Sequence, residues 1–212
     1  MGFLIFFLTL GIIIFIFSSK TFSPIPYFPS QKVDLPLIVK ALNLKNDQVV
    51  IDLGAGDGIV IFEAARMASQ KKLNTKFIAV EINPVLILVL HLRRLFHPNR
   101  KNIKIILDDM FKMNFNRLTR KPVNSLIFYL YISPWYMDKT ISNIKRQTNK
   151  FKVVSYMYPL SIKTTKSSFS KATAIRGKNQ IFVYLQAITT SRYTTSEVVR
   201  GAQKQSTGKQ FL

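Results

Sequence analysis

A short apolar run that passes directly into a cluster of glycines constrains this chain more than any other part of its sequence. Val49 to Leu53 is predicted to be a buried strand, followed by Gly54-Ala55-Gly56-Asp57-Gly58 and a helix from Ile59 to Ala68. A glycine-rich turn between a strand and a helix lets a ligand approach the backbone closely. The turn therefore predicts an α/β fold with a ligand site at the end of this strand.

The alternation of strands and helices continues along the chain. Further strands are predicted over Phe77–Glu81, Ile103–Leu107, Asn124–Tyr131 and Val153–Tyr158, with helices over residues 33–43, Pro84–Phe96 and Trp135 to about Lys150. A final hairpin is predicted from Ala172–Arg176 and Ile181–Ala187. Apolar strands that alternate with helices favour a parallel sheet covered on both faces, here with antiparallel order at the hairpin edge. Ligands of such sheets bind outside the carboxyl ends of the strands, near the point where the strand order reverses.

Acidic residues are scarce, with 10 Asp and Glu against 31 Lys and Arg, yet five of them stand at the ends of three consecutive predicted strands. Asp52 and Asp57 flank the glycines, Glu81 ends the second strand, and Asp108 and Asp109 follow the third. An acid after the second strand can accept ribose hydroxyls, and one after the third can accept a hydrogen bond from an exocyclic amine such as adenine N6. Because Asp57 stands where a pyrophosphate would lie, the pattern favours a nucleoside ligand with a cationic amino group over a dinucleotide.

These motifs resemble those of the class I S-adenosylmethionine-dependent methyltransferases. Among them, the chain is most similar to the small membrane-anchored protein-lysine methyltransferases that modify the ADP/ATP carrier and the ATP synthase c-subunit. The matching segments are Pro26-Tyr27-Phe28-Pro29-Ser30, Asp52 to Val60, Glu81-Ile82-Asn83-Pro84, Asp109-Met110-Phe111 and Pro134-Trp135-Tyr136-Met137. The resemblance covers about residues 1–160. It implies a Rossmann-like, doubly wound, seven-stranded sheet, and it departs from the family pattern where Ile59 directly follows Gly58 without the family's Arg.

The resemblance implies S-adenosyl-L-methionine as the cofactor and no metal. Nine residues are implied to bind the cofactor: Tyr27, Ser30, Asp52, Gly54, Gly56, Asp57, Glu81, Asp108 and Asp109. Within this set, the two glycines and Asp57 would cradle the methionine part, with Asp52 facing its amino group. Glu81 would hold the ribose and Asp109 the adenine, with Asp108 as the alternative. Tyr27 and Ser30 would close over the cofactor. Three residues are implied to form the wall that faces the methyl acceptor: Pro134, Trp135 and Tyr136. Tyr129 and Tyr131 are further candidates for that aromatic channel.

The first residues form a separate unit, since Phe3 to Phe17 is apolar apart from Thr9 and Gly11. This run predicts a single-pass transmembrane anchor over residues 1–20, with a signal peptide and a buried or interfacial helix as alternatives. The nearby basic residues follow the run, so the positive-inside rule places the catalytic domain in the cytoplasm. The rest of the chain is predicted to comprise a Pro-rich linker over 21–32, a methyltransferase domain over 33–188 and a disordered tail over 189–212.

The formal net charge of +21 is confined to residues 61–212, because residues 1–60 hold four Lys and four Asp. Solvated surface, contact with anionic lipid beside the anchor, and RNA binding are three interpretations of this excess. RNA methyltransferases of this fold often carry N/D-P-P-[YF] after the fourth strand, and Tyr131-Ile132-Ser133-Pro134-Trp135 lacks the Asn or Asp. This absence argues against methylation of an amino group on a base, and the resemblance implies lysine methylation of a membrane-associated protein. An RNA methyltransferase and a catalytically inactive membrane-tethered binding module are the alternatives.

Overall fold

The strands form one seven-stranded sheet in the computed structural model, which describes residues 1–18, 27–115, 118, 125–148 and 150–186. The strands are β1 (Gln48–Leu53), β2 (Lys76–Glu81), β3 (Ile103–Leu107), β4 (Ser125–Leu130), β5 (Phe151–Tyr156), β6 (Phe169–Arg176) and β7 (Gln180–Gln186). The helices are α1 (Gly2–Ser18), α2 (Leu35–Leu42), α3 (Ile59–Gln70), α4 (Pro84–Leu95), α5 (Pro134–Lys145) and α6 (Ile162–Ser168). Short 3-10 turns at Lys32–Asp34 and Arg100–Asn102 precede α2 and β3.

The order of the strands is β3-β2-β1-β4-β5-β7-β6. Strands β1 to β5 run parallel to one another, and β7 runs antiparallel to both β5 and β6. The predicted parallel sheet with an antiparallel hairpin at one edge is therefore confirmed. The order reverses between β1 and β4, which places the expected ligand site at the carboxyl ends of these two strands.

Two apolar cores cover the two faces of the sheet. On one face, Val50 packs among buried residues of α2 and α3, including Ile38 and Ala64. On the other face, the neighbouring Ile51 packs in a cluster that contains Ile141 of α5. All six residues of β1 are buried. Burial on both faces explains why Val49, Val50 and Ile51 are three consecutive apolar residues rather than an alternating pattern.

The structure differs from the predicted elements mainly after β4. Helix α5 begins at Pro134 and ends at Lys145, which is shorter than the predicted helix that runs to about Lys150. Helix α6, with the sequence IKTTKSS, was not predicted because it has no apolar periodicity. Its start is fixed locally, since the Ser161 hydroxyl accepts the N–H of Thr164 at 3.2 Å.

The predicted transmembrane anchor over residues 1–20 is wrong. Helix α1 has 17 residues, from Gly2 to Ser18. Among the described residues, no helix combines the length and the apolar character that crossing a membrane requires. The predicted single-pass membrane location is corrected with it. Residues 19–26 and 187–212 lie outside the described residues, and with them part of the predicted linker and the predicted tail.

A buried carboxylate ties the start of α2 to the edge hairpin. Asp34, which is 1% exposed, accepts hydrogen bonds from the Tyr156 hydroxyl at 2.7 Å and from the backbone N–H groups of Lys178 and Asn179 at 2.7 and 3.0 Å. Burial alone would raise the pKa of Asp34, but the hydrogen bonds from Tyr156 and Asn179 favour the ionised form. They hold the pKa of Asp34 below its ordinary value.

We expect Asp34→Asn to lower the free energy of unfolding at neutral pH by about 2–4 kcal/mol, because donors arranged around a carboxylate then face an amide. A depressed native pKa means that this stabilisation is present above the unfolded pKa of about 4 and is lost as the pH falls through the native pKa. Urea unfolding of the wild type and of Asp34→Asn should therefore show a difference in the free energy of unfolding that becomes smaller at acidic pH. Asp47→Asn, on the exposed surface, is the matched control, with an expected change within about 0.5 kcal/mol. An Asp34→Asn variant as stable as the wild type would contradict this assignment.

Candidate cofactor site

A cleft of about 780 Å³ opens at the carboxyl ends of β1, β2 and β4. The nine residues predicted to bind the cofactor all line it: Tyr27, Ser30, Asp52, Gly54, Gly56, Asp57, Glu81, Asp108 and Asp109. The topology thus brings residues from four separate segments to one place, and their role in binding stays a prediction.

The glycine-rich turn is tied to the neighbouring strand and leaves its surface open. The N–H groups of Gly54 and Ala55 both donate to the Val80 carbonyl at 2.9 Å. Gly56 has a φ of +58°, and a Cβ added there would lie 2.6 Å from Cε2 of Tyr27. Only glycine therefore fits beneath the Tyr27 ring at this point.

The Glu81 carboxylate joins the glycine turn to the end of β2. It is 6% exposed and accepts the N–H of Gly56 at 2.8 Å, of Ile82 at 2.8 Å and of Asn83 at 2.9 Å. A carboxylate has about four acceptor positions. Glu81 thus supports the turn and keeps capacity to accept a further hydroxyl from a ligand in the cleft.

Asp52 is a buried carboxylate that faces the cleft. It is 3% exposed, and it accepts no hydrogen bond within the part of the chain that the structure describes. Burial first, and then the charges of Glu81 and Asp57, raise the pKa of Asp52 well above its ordinary value. Leaving such a group without a partner is unfavourable, so a cationic group of a ligand would supply the missing interaction.

Asp57 is neutralised by a residue that the sequence pattern did not reveal. Its Oδ1 accepts the N–H of Ile59 at 3.1 Å at the start of α3. Its Oδ2 lies 2.8 Å from Nη1 of Arg93 on α4, and the same nitrogen donates to the Asp57 carbonyl at 2.6 Å. The Arg93 guanidinium also lies over the ring of Phe62, at 5.1 Å from its centre. No short motif links Arg93 to the turn, since 36 residues separate the pair.

The segment from Tyr27 to Ser30 forms one wall of the cleft. The Ser30 hydroxyl lies 2.8 Å from the Tyr129 hydroxyl, and both side chains are buried. Burial, followed by the charge of Asp57 and a hydrogen bond with it, raises the pKa of Tyr27 to about 12. The phenol of Tyr27 is therefore a neutral group over the glycine turn at physiological pH.

Asp108 and Asp109 form the turn at the end of β3. The Asp108 N–H donates to the Glu81 carbonyl at 3.1 Å, and the Asp109 carboxylate accepts the N–H of Phe111 at 2.8 Å. Lys112 lies 3.9 Å from the Asp109 carboxylate. Both acids line the cleft, and neither of the two predicted adenine contacts is favoured over the other by this geometry.

Sequence reasoning missed the apolar lining of the cleft. The remaining lining residues that it did not assign are Phe28, Pro29, Ala55, Ile59, Val60, Val80, Ile82, Leu86, Met110, Phe111 and Ile132. An apolar residue at a strand or helix end has the same sequence signal whether it packs in the core or borders a cleft. The two candidate channel residues Tyr129 and Tyr131 also line the cleft.

None of the three residues of the predicted acceptor wall, Pro134, Trp135 and Tyr136, lines the cleft itself, and their role towards the acceptor stays a prediction. Pro134 is the first residue of α5, and the first turn of that helix carries the Trp135 side chain outward, where it is 88% exposed. Tyr136 contacts Phe111, with ring centres 5.3 Å apart. The β4 end of the cleft is lined instead by Tyr131 and Ile132.

A sheet of this strand order, with acidic residues around a cleft at its switch point, is that of a class I methyltransferase that uses S-adenosyl-L-methionine. Residues 27–198 match the family model described as ribosomal RNA adenine dimethylase. The chain belongs to the ribosomal RNA adenine dimethylase family.

Two curated relatives carry the description probable ribosomal RNA small subunit methyltransferase A. The relative from Methanosarcina mazei is 33% identical over 131 residues, which cover 61% of this chain and 42% of the relative. The relative from Methanosphaera stadtmanae is 24% identical over 140 residues, which cover 65% of this chain and 42% of the relative. This chain therefore spans less than half the length of these relatives.

Solved structures show the same fold. The RNA methyltransferase from Salinibacter ruber, in complex with S-adenosyl-L-homocysteine, superposes with a TM-score of 0.57 at 16% identity. The match covers 75% of this chain and 94% of the Salinibacter chain. The 23S rRNA methyltransferase ErmE superposes with a TM-score of 0.53 at 15% identity, and the match covers 76% of this chain and 70% of the ErmE chain.

These comparisons overturn the predicted partners. The predicted partners were a membrane bound through the N-terminal helix, an anionic lipid surface and a membrane-associated protein substrate. The descriptions of the family and of both curated relatives instead name ribosomal RNA. Short motifs around the cofactor cannot separate the branches of this class, because every branch holds the same cofactor.

Proposed function

We propose that this chain transfers methyl groups from S-adenosyl-L-methionine to RNA, with an adenine amino group as the acceptor. The observation that carries the proposal is the match to the ribosomal RNA adenine dimethylase family over residues 27–198. That range includes every element around the cleft.

The charge of the domain supports RNA as the partner. Residues 61–212 hold 27 basic and six acidic side chains. Among the described residues, three ion pairs are formed, at Glu63–Arg66, Asp57–Arg93 and Asp109–Lys112. Most cations of the described surface are thus left to the solvent, where they favour contact with phosphates.

The residues of the cleft fit the cofactor by charge and shape. S-adenosyl-L-methionine supplies a methyl group on a cationic sulfur, which leaves as a neutral thioether, so the chain has no leaving group to protonate. Asp52 would supply the negative charge for the amino group, and Glu81 would accept a hydrogen bond from the ribose. Phe111 and Met110 would offer apolar surface to the adenine. Alignment of the acceptor and exclusion of water then account for much of the rate.

The acceptor end of the cleft departs from the usual pattern for adenine. Ile132, which is 3% exposed, stands in the segment where the Asn or Asp of N/D-P-P-[YF] is expected. An Ile side chain accepts no hydrogen bond, so Ile132 cannot bind an adenine amino group as the Asn or Asp of that motif would. This departure is the observation that favours a second candidate, methylation of a lysine amine on a protein.

A transfer assay with methyl-labelled cofactor separates the two candidates. The protein is incubated with deproteinised ribosomal RNA, with assembled small ribosomal subunits and with an RNA-free protein extract. We expect label in RNA, and none with Gly56→Arg, whereas Gly11→Ala serves as the active control because its Cβ meets nothing within 4 Å. Label confined to protein would overturn the proposal in favour of lysine. Cofactor binding with no label anywhere would overturn both in favour of a binding module.

A further inference from the structure

Helix α4 has a row of exposed apolar side chains on the side that faces away from the sheet. Its inward side chains, Leu86 and Leu90, are buried. The outward side chains of Leu88, Leu92 and Leu95 are instead 59%, 50% and 57% exposed. Apolar side chains that are exposed side by side, rather than singly, mark an interaction surface.

The spacing of this row is the one that a second helix requires. With the half-buried Val85, the residues follow one another at intervals of three, four and three: Val85, Leu88, Leu92 and Leu95. This is the a/d pattern of helices that pack side by side at a small crossing angle. Phe96, which is 88% exposed, continues the row directly after the helix. These five residues form a surface, here called the α4 seam, whose spacing fits an apolar helix.

Helix α1 is a second apolar element with exposed side chains. It contains no charged residue, and Phe3, Phe7 and Phe15 are 83%, 65% and 65% exposed. At about 1.5 Å per residue, its 17 residues extend over roughly 25 Å, whereas residues 85–95 of the seam extend over roughly 16 Å. Helix α1 is therefore long enough to cover the whole α4 seam.

The chain joins α1 to the domain at a point close to α4. Residues 19–26 separate α1 from Tyr27, and a segment of this length spans at most about 30 Å. The Tyr27 hydroxyl is hydrogen-bonded to the Asp57 carboxylate, and Asp57 lies 2.8 Å from Nη1 of Arg93 on α4. Because Arg93 directly follows Leu92, the α4 seam lies within reach of α1 of the same chain.

We propose that α1 docks along the α4 seam of its own chain and forms a side-by-side helix pair. A segment on a short linker has a millimolar effective concentration, which favours the chain's own α1 over that of a second copy. Two α4 helices paired between two copies would cover the seam but leave α1 exposed. Docking of α1 on α4 removes both apolar surfaces from water. It also fixes the chain just before Tyr27, where the wall over the glycine turn begins.

Cross-linking in the full chain tests this contact, because the chain contains no cysteine of its own. Leu92→Cys is combined with a second cysteine at one of four consecutive positions of α1, which together cover the circumference of the helix. These positions are Phe6, Phe7, Leu8 and Thr9. We expect a short bismaleimide reagent to join at least one of these pairs. In the matched control, Ser142→Cys replaces Leu92→Cys at an exposed position of α5, on the other face of the sheet.

The cross-linked products identify what covers the seam. The expected product is a single chain of altered electrophoretic mobility, formed with Leu92→Cys and not with Ser142→Cys. Cross-links that form only between two chains would overturn the proposal in favour of a second copy. Equal cross-linking with Ser142→Cys, or none at any of the four positions, would overturn docking altogether.

The reactivity of a single thiol tests whether the seam is covered without relying on the choice of pairs. We expect maleimide to label Leu92→Cys about tenfold or more slowly than Ser142→Cys, because the docked helix must open first. Adding Phe7→Lys and Ile12→Lys should restore the rate, since an unpaired charge resists burial. Labelling of Leu92→Cys as fast as Ser142→Cys would contradict the proposal. Slow labelling that persists with both α1 substitutions would overturn α1 as the occupant.

Discussion

Gly56→Arg is expected to abolish the binding of S-adenosyl-L-methionine. Gly56 has a φ of +58°, a conformation that costs a side chain free energy, and the first added carbon would already lie 2.6 Å from the Tyr27 ring. The rest of an Arg side chain would enter the cleft and place a cation where the cationic cofactor binds. We expect the dissociation constant to rise by about 100-fold or more, beyond the range of isothermal titration calorimetry.

Two controls separate this steric effect from general unfolding. Gly11→Ala, at a position with open space, should bind the cofactor as the wild type does. Gly56→Ala should weaken binding to a smaller extent than Gly56→Arg, because its Cβ meets the Tyr27 ring but no long side chain enters the cleft. Cofactor binding by Gly56→Arg at wild-type affinity would show that the cofactor does not lie over this turn.

Asp52→Asn is expected to have opposite effects on stability and on cofactor affinity. The pKa of Asp52 is raised in the empty site, so its contribution to stability is present below the unfolded pKa and is lost as the pH rises through the native value. Removing the ionisable group should therefore increase the free energy of unfolding at neutral pH. The same change removes the negative charge that faces the cofactor, and we expect affinity to fall by about 10- to 100-fold.

Calorimetry in buffers with different ionisation enthalpies measures the proton that accompanies this interaction. The cationic cofactor favours ionised Asp52, so binding should release protons below the pKa of the empty site, and affinity should rise with pH over that range. Asp52→Asn should lose this release, and Asp47→Asn should keep it. Proton release by the wild type that persists in Asp52→Asn would contradict the assignment.

The features that the sequence predicts are those with local signals. Three features follow one another closely along the chain: the β1 strand, the glycine turn, and the acids at the ends of β1, β2 and β3. The chemical class of the ligand could therefore be predicted from the sequence alone. The parallel sheet follows from apolar strands separated by helices. In each case the residues that define the feature are near neighbours in sequence or mark the end of an element.

The features that escaped prediction depend on tertiary contacts. Arg93 reaches Asp57 across 36 residues, and Asp34 meets the edge hairpin across 144 residues. Neither contact can be recognised from the spacing of residues in the sequence. The exposure of Trp135 at the start of α5 is likewise not visible in the sequence, and its assignment to the acceptor wall stays a prediction. The membrane anchor was inferred from apolar composition, whereas no helix among the described residues has both the length and the apolar character that crossing a membrane requires.

The claim that this chain methylates RNA is tested most directly by mass spectrometry of nucleosides from the ribosomal RNA of cells with and without the gene. The account predicts that a methylated adenosine falls in abundance without the gene, returns with the wild-type chain and does not return with Gly56→Arg. Identical nucleoside profiles, together with loss of methyllysine from a protein, would contradict it.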